Sequence, residues 1–347
     1  MTLGRYVWSD AENRARTPVR LVVGFAVIAL VAVVGTVAAE LSLSILWPSV
    51  PFVYYLIGTT LGLGVGALVG VGVVARYIDR RSLIGYGLRG SRAWWRDLGV
   101  GIALATTAVA VGVGIGLVSG WAIVTDTIVA ASGGFVLAML ASLALFAIVG
   151  LYEELVVRGF VLTNIAEGLV GYGSAVAATV AVVASSLLFG AIHLANANAS
   201  PVAVAGVAVI AITLGVSYVL TGRLGLAVGF HAAWNTAMGV LFGYPVSGFE
   251  APASVFVVDS IGPAIWTGGA FGPEAGLLGV LAAAVGLVGV VAYARLVEGR
   301  VGIHPDLFTA ELRGGSEESS PVENIRGERP TDGDLTVSYE SGVDSNR

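Results

Sequence analysis

Residues 134–160 read GFVLAMLASLALFAIVGLYEELVVRGF, and this stretch decides the fold. From 134 to 152 it runs without a charge for 19 residues, close to the roughly 20 apolar residues that a helix needs to cross a bilayer core. It then meets Glu153, Glu154 and Arg158, ionisable groups that are costly in hydrocarbon and therefore point to function. Seven further stretches of similar length and character accompany it, at 21–39, 52–75, 98–124, 174–192, 202–220, 224–243 and 275–294. The sequence predicts an all-α protein, a polytopic transmembrane helix bundle of about eight spans.

Composition points the same way. Of the 347 residues 56% are apolar and 12% charged, whereas a soluble domain carries roughly 25% charged residues; an ordinary soluble enzyme is excluded. The absence of cysteine removes any disulfide framework, thiolate metal site or cysteine nucleophile. All 18 basic residues are arginine and the net charge is -5, a composition similar to that of archaeal halophile proteins. No nucleic-acid partner is expected from this balance.

Arginine is distributed unevenly between the loops. The N-terminal tail holds Arg5, Arg14, Arg16 and Arg20; the second loop holds Arg76, Arg80, Arg81, Arg89, Arg92 and Arg96; Arg223, Arg295 and Arg300 follow later. The alternate loops, 40–51, 125–133, 193–201 and 244–274, contain none. Because basic loops stay in the cytoplasm, the expectation is a multi-pass protein of the cell membrane with both termini cytoplasmic. Three regions follow: 1–133 with three spans and the arginine-rich loop, 134–298 as the membrane core carrying the polar residues, and 299–347 as a disordered acidic cytoplasmic tail. That last segment holds ten acidic residues and five arginines with no apolar period. The long loop 244–274, rich in Gly and Pro, reads either as a lid on the outer face or as a packing segment. Glycines four apart, Gly62, Gly66 and Gly70 and then Gly112, Gly116 and Gly120, suit close helix approach.

The polar residues inside the spans are few and clustered. Glu154 and Arg158 are four apart and share a helix face, so they can pair. Glu153 lies about 100° round the helix, without that partner, as suits a general base or proton carrier. His193 closes the fifth span. His231 and Asn235, again four apart, can donate to one acceptor.

Glu-Glu-x-x-x-Arg at 153–158, Phe-x-x-x-His at 189–193 and His-x-x-x-Asn at 231–235, in that order on apolar spans, resemble the CPBP intramembrane proteases. That family includes the glutamate-type CAAX prenyl endopeptidases and the Abi-like proteins. The resemblance implies an intramembrane endopeptidase in which Glu153 and His193 activate water. His231 and Asn235 would hold the oxyanion, and Glu154 with Arg158 would form an ion pair among the catalytic helices, with Phe189 in support. It implies a protein or peptide substrate, lipidated or not, reached among membrane lipid from the cytoplasm or the inner leaflet. The family is often classified with metalloproteases, and Glu153, His193 and His231 are a zinc-competent set. Asn235 and the lack of an HExxH helix favour a reaction without cofactor, zinc being the alternative. Residues 268–274, GGAFGPE, are similar to a segment of some members that has no assigned role.

The resemblance makes one geometric demand. At about 1.5 Å per residue, His193 lies far along its span while His231 lies near the start of its own. The fourth span must run past Glu153 toward Glu167 for these groups to meet. Two rival functions remain on the sequence: a proton- or ion-coupled transporter, against which no second copy of any motif is found, and a catalytically silent scaffold. The oligomeric state is left open.

Overall fold

The computed structural model describes residues 7–10, 12–131 and 133–308. A two-residue ladder joins β1, Trp8–Ser9, to β2, Arg14–Ala15. The membrane helices follow as α1, Thr17–Leu46, α2, Phe52–Tyr77, and α3, Arg92–Val118. Strand β3, Ala122–Ala130, precedes α4, which runs as Phe135–Glu154, a π-helical stretch Leu155–Leu162, and Thr163–Leu169. Then come α5, Ser174–Ile192, α6, Pro201–Thr221, and α7, Gly225–Thr236 with a π-helical end Ala237–Leu241. Strand β4, Ala253–Ser260, and α8, Leu277–Glu298, complete the described bundle.

Seven helices among the described residues are long and apolar enough to cross a membrane, and the fourth is the longest, Phe135–Tyr172, 38 residues. The run at 224–243 gives α7, a shorter helix enclosed by its neighbours. Gly225 and Gly229 press against the Trp94 and Leu98 carbonyls of α3, where a Cβ would collide with backbone, and nearly every residue of α7 is buried. The glycines of α2 act as their spacing suggests: a Cβ at Gly62 or Gly66 would strike the backbone of α1. Gly112 and Gly116 meet α8, but Gly120 has nothing beside it and adopts φ 68°.

Gly120 marks where the sequence reading and the structure part. The third span ends at Val118, and the β-branched run from Ile123 to Val129 forms β3, paired antiparallel with β4 of the 244–274 loop. That loop is thus partly sheet. The segment after α8 is tied down as well. Leu307 is buried and Arg89 pairs with Asp306 at 2.6 Å, so packing reaches to residue 308; the remainder of the acidic tail lies outside the described residues.

The long fourth helix is anchored at its inner end by charge. Buried Asp79 takes Arg14 at 2.9 Å, Arg20 at 3.0 Å and Arg81 at 3.0 Å, with hydrogen bonds from Tyr86 Oη at 2.6 Å and Asn164 Nδ2 at 2.8 Å. Glu167 takes Arg81 at 2.6 Å. Burial alone would raise the Asp79 carboxyl, but Arg81, Arg20 and the two hydrogen bonds hold it below its ordinary value. Since Asn164 and Glu167 belong to α4, this cluster fixes α4 against the N-terminal segment and the second loop. It fixes the height of Glu153 with it.

Candidate active site

Glu153 and Glu154 end the α-helical part of α4, and the π-helical stretch begins at the next residue. Such widened turns recur at functional sites. Here the stretch carries Arg158, whose Nη1 donates to Glu154 Oε1 at 2.8 Å with both side chains fully buried. Arg158 Nη2 also donates to the Ala211 carbonyl at 2.9 Å, and its guanidinium lies 4.6 Å from the Phe189 ring centre.

Glu154 has a second partner that spacing could not reveal. His231 Nδ1–H donates to its Oε1 at 2.9 Å, so one carboxylate oxygen holds both the arginine and the histidine. This bond turns His231 Nε2 toward Glu153 Oε2, 3.8 Å away. Glu153 Oε1 accepts from Tyr152 Oη at 3.0 Å, while its Oε2 has no hydrogen bond.

His193 stands at the end of α5, where its Nδ1–H donates to the Phe189 carbonyl at 2.7 Å, so that Nε2 presents its lone pair. Phe189 touches both imidazoles, its ring centre 4.7 Å from that of His193 and 5.6 Å from that of His231. Asn235, one turn beyond His231, is 6% exposed, and its side-chain amide has no hydrogen-bond partner among the described residues.

These groups face one cavity of about 410 Å³, whose walls include Glu153, Phe189, His193, His231 and Asn235. Glu154 and Arg158 do not line it; they stand behind His231 and hold it. A second cavity of about 350 Å³, otherwise mostly apolar and walled by α1 and α2, shares Tyr152, Glu153, His193 and Asn196 with the first. Glu153 and His193 therefore stand where two cavities adjoin. Among the described residues no group of three His, Asp or Glu side chains stands close enough together to hold a metal ion.

Tyr152 and Glu274 are among the cavity residues that were not anticipated from the sequence. Tyr152 adjoins the motif and could have been suspected from position alone. Glu274 comes from the GGAFGPE run and lines the same cavity beside Ser247 and Asn196. The loop walls, at 196–197, 246–249 and 274, all belong to the arginine-free end of the bundle. The loops around the site are thus not the arginine-rich ones.

No curated protein and no solved structure matches the chain. Residues 135–237, which contain Glu153, Glu154, Arg158, Phe189, His193, His231 and Asn235, match the Rce1-like family model, described as type II CAAX prenyl endopeptidase Rce1-like, so the motif-bearing part of the chain is similar to that family.

Proposed function

We propose that the protein hydrolyses a peptide bond of a membrane-associated protein or peptide by water activated on Glu153. The observation that carries this reading is the unpartnered Glu153 Oε2 in a cavity shared with His193, His231 and Asn235. A water held between Glu153 and His193 Nε2 loses its proton to the carboxylate as its oxygen attacks the carbonyl carbon. The oxyanion so formed takes hydrogen bonds from the Asn235 amide and from His231 Nε2, which donates when the ring is an imidazolium. Glu154 accepts from Nδ1 and favours that form by its charge. Collapse breaks the C–N bond, and the proton on Glu153 passes to the leaving amine. Zinc takes no part in this scheme.

Asn235→Ala tests the oxyanion assignment. Removing one such donor lowers turnover by about 100-fold or more, with KM little changed, because the bond is made in the transition state. Cleavage of a membrane-anchored peptide library by purified protein, in the presence of a zinc chelator, measures it. Full activity of Asn235→Ala would contradict the assignment, and loss of wild-type activity to chelator with recovery on added zinc would contradict the metal-free scheme.

The arginine asymmetry of the loops supports cytoplasmic termini, and on that reading the site faces the outer side of the cell membrane. The cysteine-free chain makes this directly testable. A single cysteine at Ser247 or Ala197 should react with a membrane-impermeant thiol reagent in intact cells, and one at Ser82 should react only after lysis. The reverse pattern would turn the whole arrangement over.

A further inference from the structure

Four Asp or Glu residues are buried among the described residues: Asp79, Asp97, Glu154 and Glu274. Three have arginine partners: Asp79 with Arg14, Arg20 and Arg81, Asp97 with Arg223 at 2.5 Å, and Glu154 with Arg158. Glu274, 6% exposed, has no cationic partner among the described residues. Its Oε2 accepts from Ser247 N–H at 2.6 Å and Ser247 Oγ at 2.7 Å, while Oε1 accepts nothing. A buried carboxylate is ordinarily matched by an opposite charge, and here the space beside it is the cavity that holds Glu153. No arginine lines that cavity, whereas Glu153 adds a second carboxylate and Asn235 an unpartnered amide.

We infer that Glu274 receives a cationic group of the substrate, the ammonium of a lysine or the guanidinium of an arginine near the bond to be cut. The inference rests on the protease reading and names its specificity. The two hydrogen bonds from Ser247 pin one oxygen and stiffen the loop, which leaves the other oxygen presented to the cavity at no further ordering cost. A segment with an acidic side chain at that position would meet the Glu274 carboxylate, with Glu153 in the same cavity and no arginine lining it, so it is disfavoured. The GGAFGPE run thereby acquires a role: Gly268 and Gly272 adopt φ 81° and φ 111°, turns that bring Glu274 under the 246–249 loop.

The test uses the purified full chain in lipid nanodiscs and peptide sets that differ only in lysine, norleucine or glutamate at each position flanking the cut. Wild type should prefer lysine over norleucine at one position by on the order of 10- to 100-fold in kcat/KM, the effect of a charged hydrogen bond gained in a buried site. Glu274→Gln, which keeps an acceptor for Ser247, should bring that ratio close to one, while Ser247→Ala, which keeps the charge, should retain the preference. An unchanged ratio in Glu274→Gln overturns the inference, and so does a wild type indifferent to lysine at every position, whether or not the variant folds. Equal cleavage by Glu153→Gln would instead overturn the protease reading. Should no peptide be cleaved, binding of the lysine and norleucine peptides by fluorescence anisotropy decides: tighter lysine binding lost in Glu274→Gln supports the subsite, and equal binding overturns it.

Discussion

Arg158→Ala should accumulate poorly in the membrane and unfold more readily than wild type, by about 3 to 5 kcal/mol, because breaking a buried pair leaves a charge uncompensated. Arg158 and Glu154 are both fully buried at a separation of 2.8 Å, and the guanidinium also satisfies the Ala211 carbonyl of α6. Truncation to alanine would leave Glu154 with His231 as its remaining partner, without the arginine charge, and empty the space over the Phe189 ring. Lysine should not rescue it, since a single ammonium cannot reach Glu154 and Ala211 in the arginine's forked geometry while lying over Phe189. Detergent-solubilised yield and thermal unfolding followed by size exclusion measure the effect. A variant that accumulates and melts like wild type would show the pair to be dispensable for the fold.

Much of the fold could be read from composition alone. Long uncharged runs have few alternatives to membrane helices, so the bundle and the length of most spans follow from counting. Where a span ends is set by neighbours instead. Residues 122–130 became a strand because Gly120 turns the chain and β4, more than a hundred residues later, supplies the pairing edge. The run at 224–243 gave a shorter, enclosed helix because Gly225 and Gly229 let α3 come close, a contact invisible in a hydropathy profile. The demand that the fourth span continue past Glu153 is met by a 38-residue helix. The charges that hold its inner end, Asp79 and Arg14 against Asn164 and Glu167, are remote in sequence.

At the site, spacing identified the i, i+4 pairs, which are local. It could not show that Glu154 serves His231 across 77 positions, nor that Glu274 reaches the cavity, because both depend on tertiary packing. That the loop walls of the cavity come from the arginine-free loops was equally hidden.

Glu153→Gln carries the second large effect. The substitution keeps the size of the side chain and an acceptor for Tyr152 Oη, so α4, the Glu154–Arg158 pair and the abundance of the protein should all be preserved. It removes the carboxylate proposed to take the water's proton, whose Oε2 in wild type has no hydrogen bond among the described residues and lies 3.8 Å from His231 Nε2. General-base catalysis typically supplies a factor of about 100 to 10,000, and with the proton donor for the leaving amine lost as well, cleavage should fall below detection. Because binding groups remain, the variant should still hold substrate, which makes it suited to capturing one from membranes.

The most direct measurement compares wild type and Glu153→Gln, purified in nanodiscs with chelator present, on one peptide pool, with new termini read by mass spectrometry. Defined cleavage products from wild type and none from an equally abundant, equally stable Glu153→Gln protein are the predicted result. The same products from both proteins would contradict the assignment of Glu153 as the base, and with it the account of this cavity as a peptide-hydrolysing site.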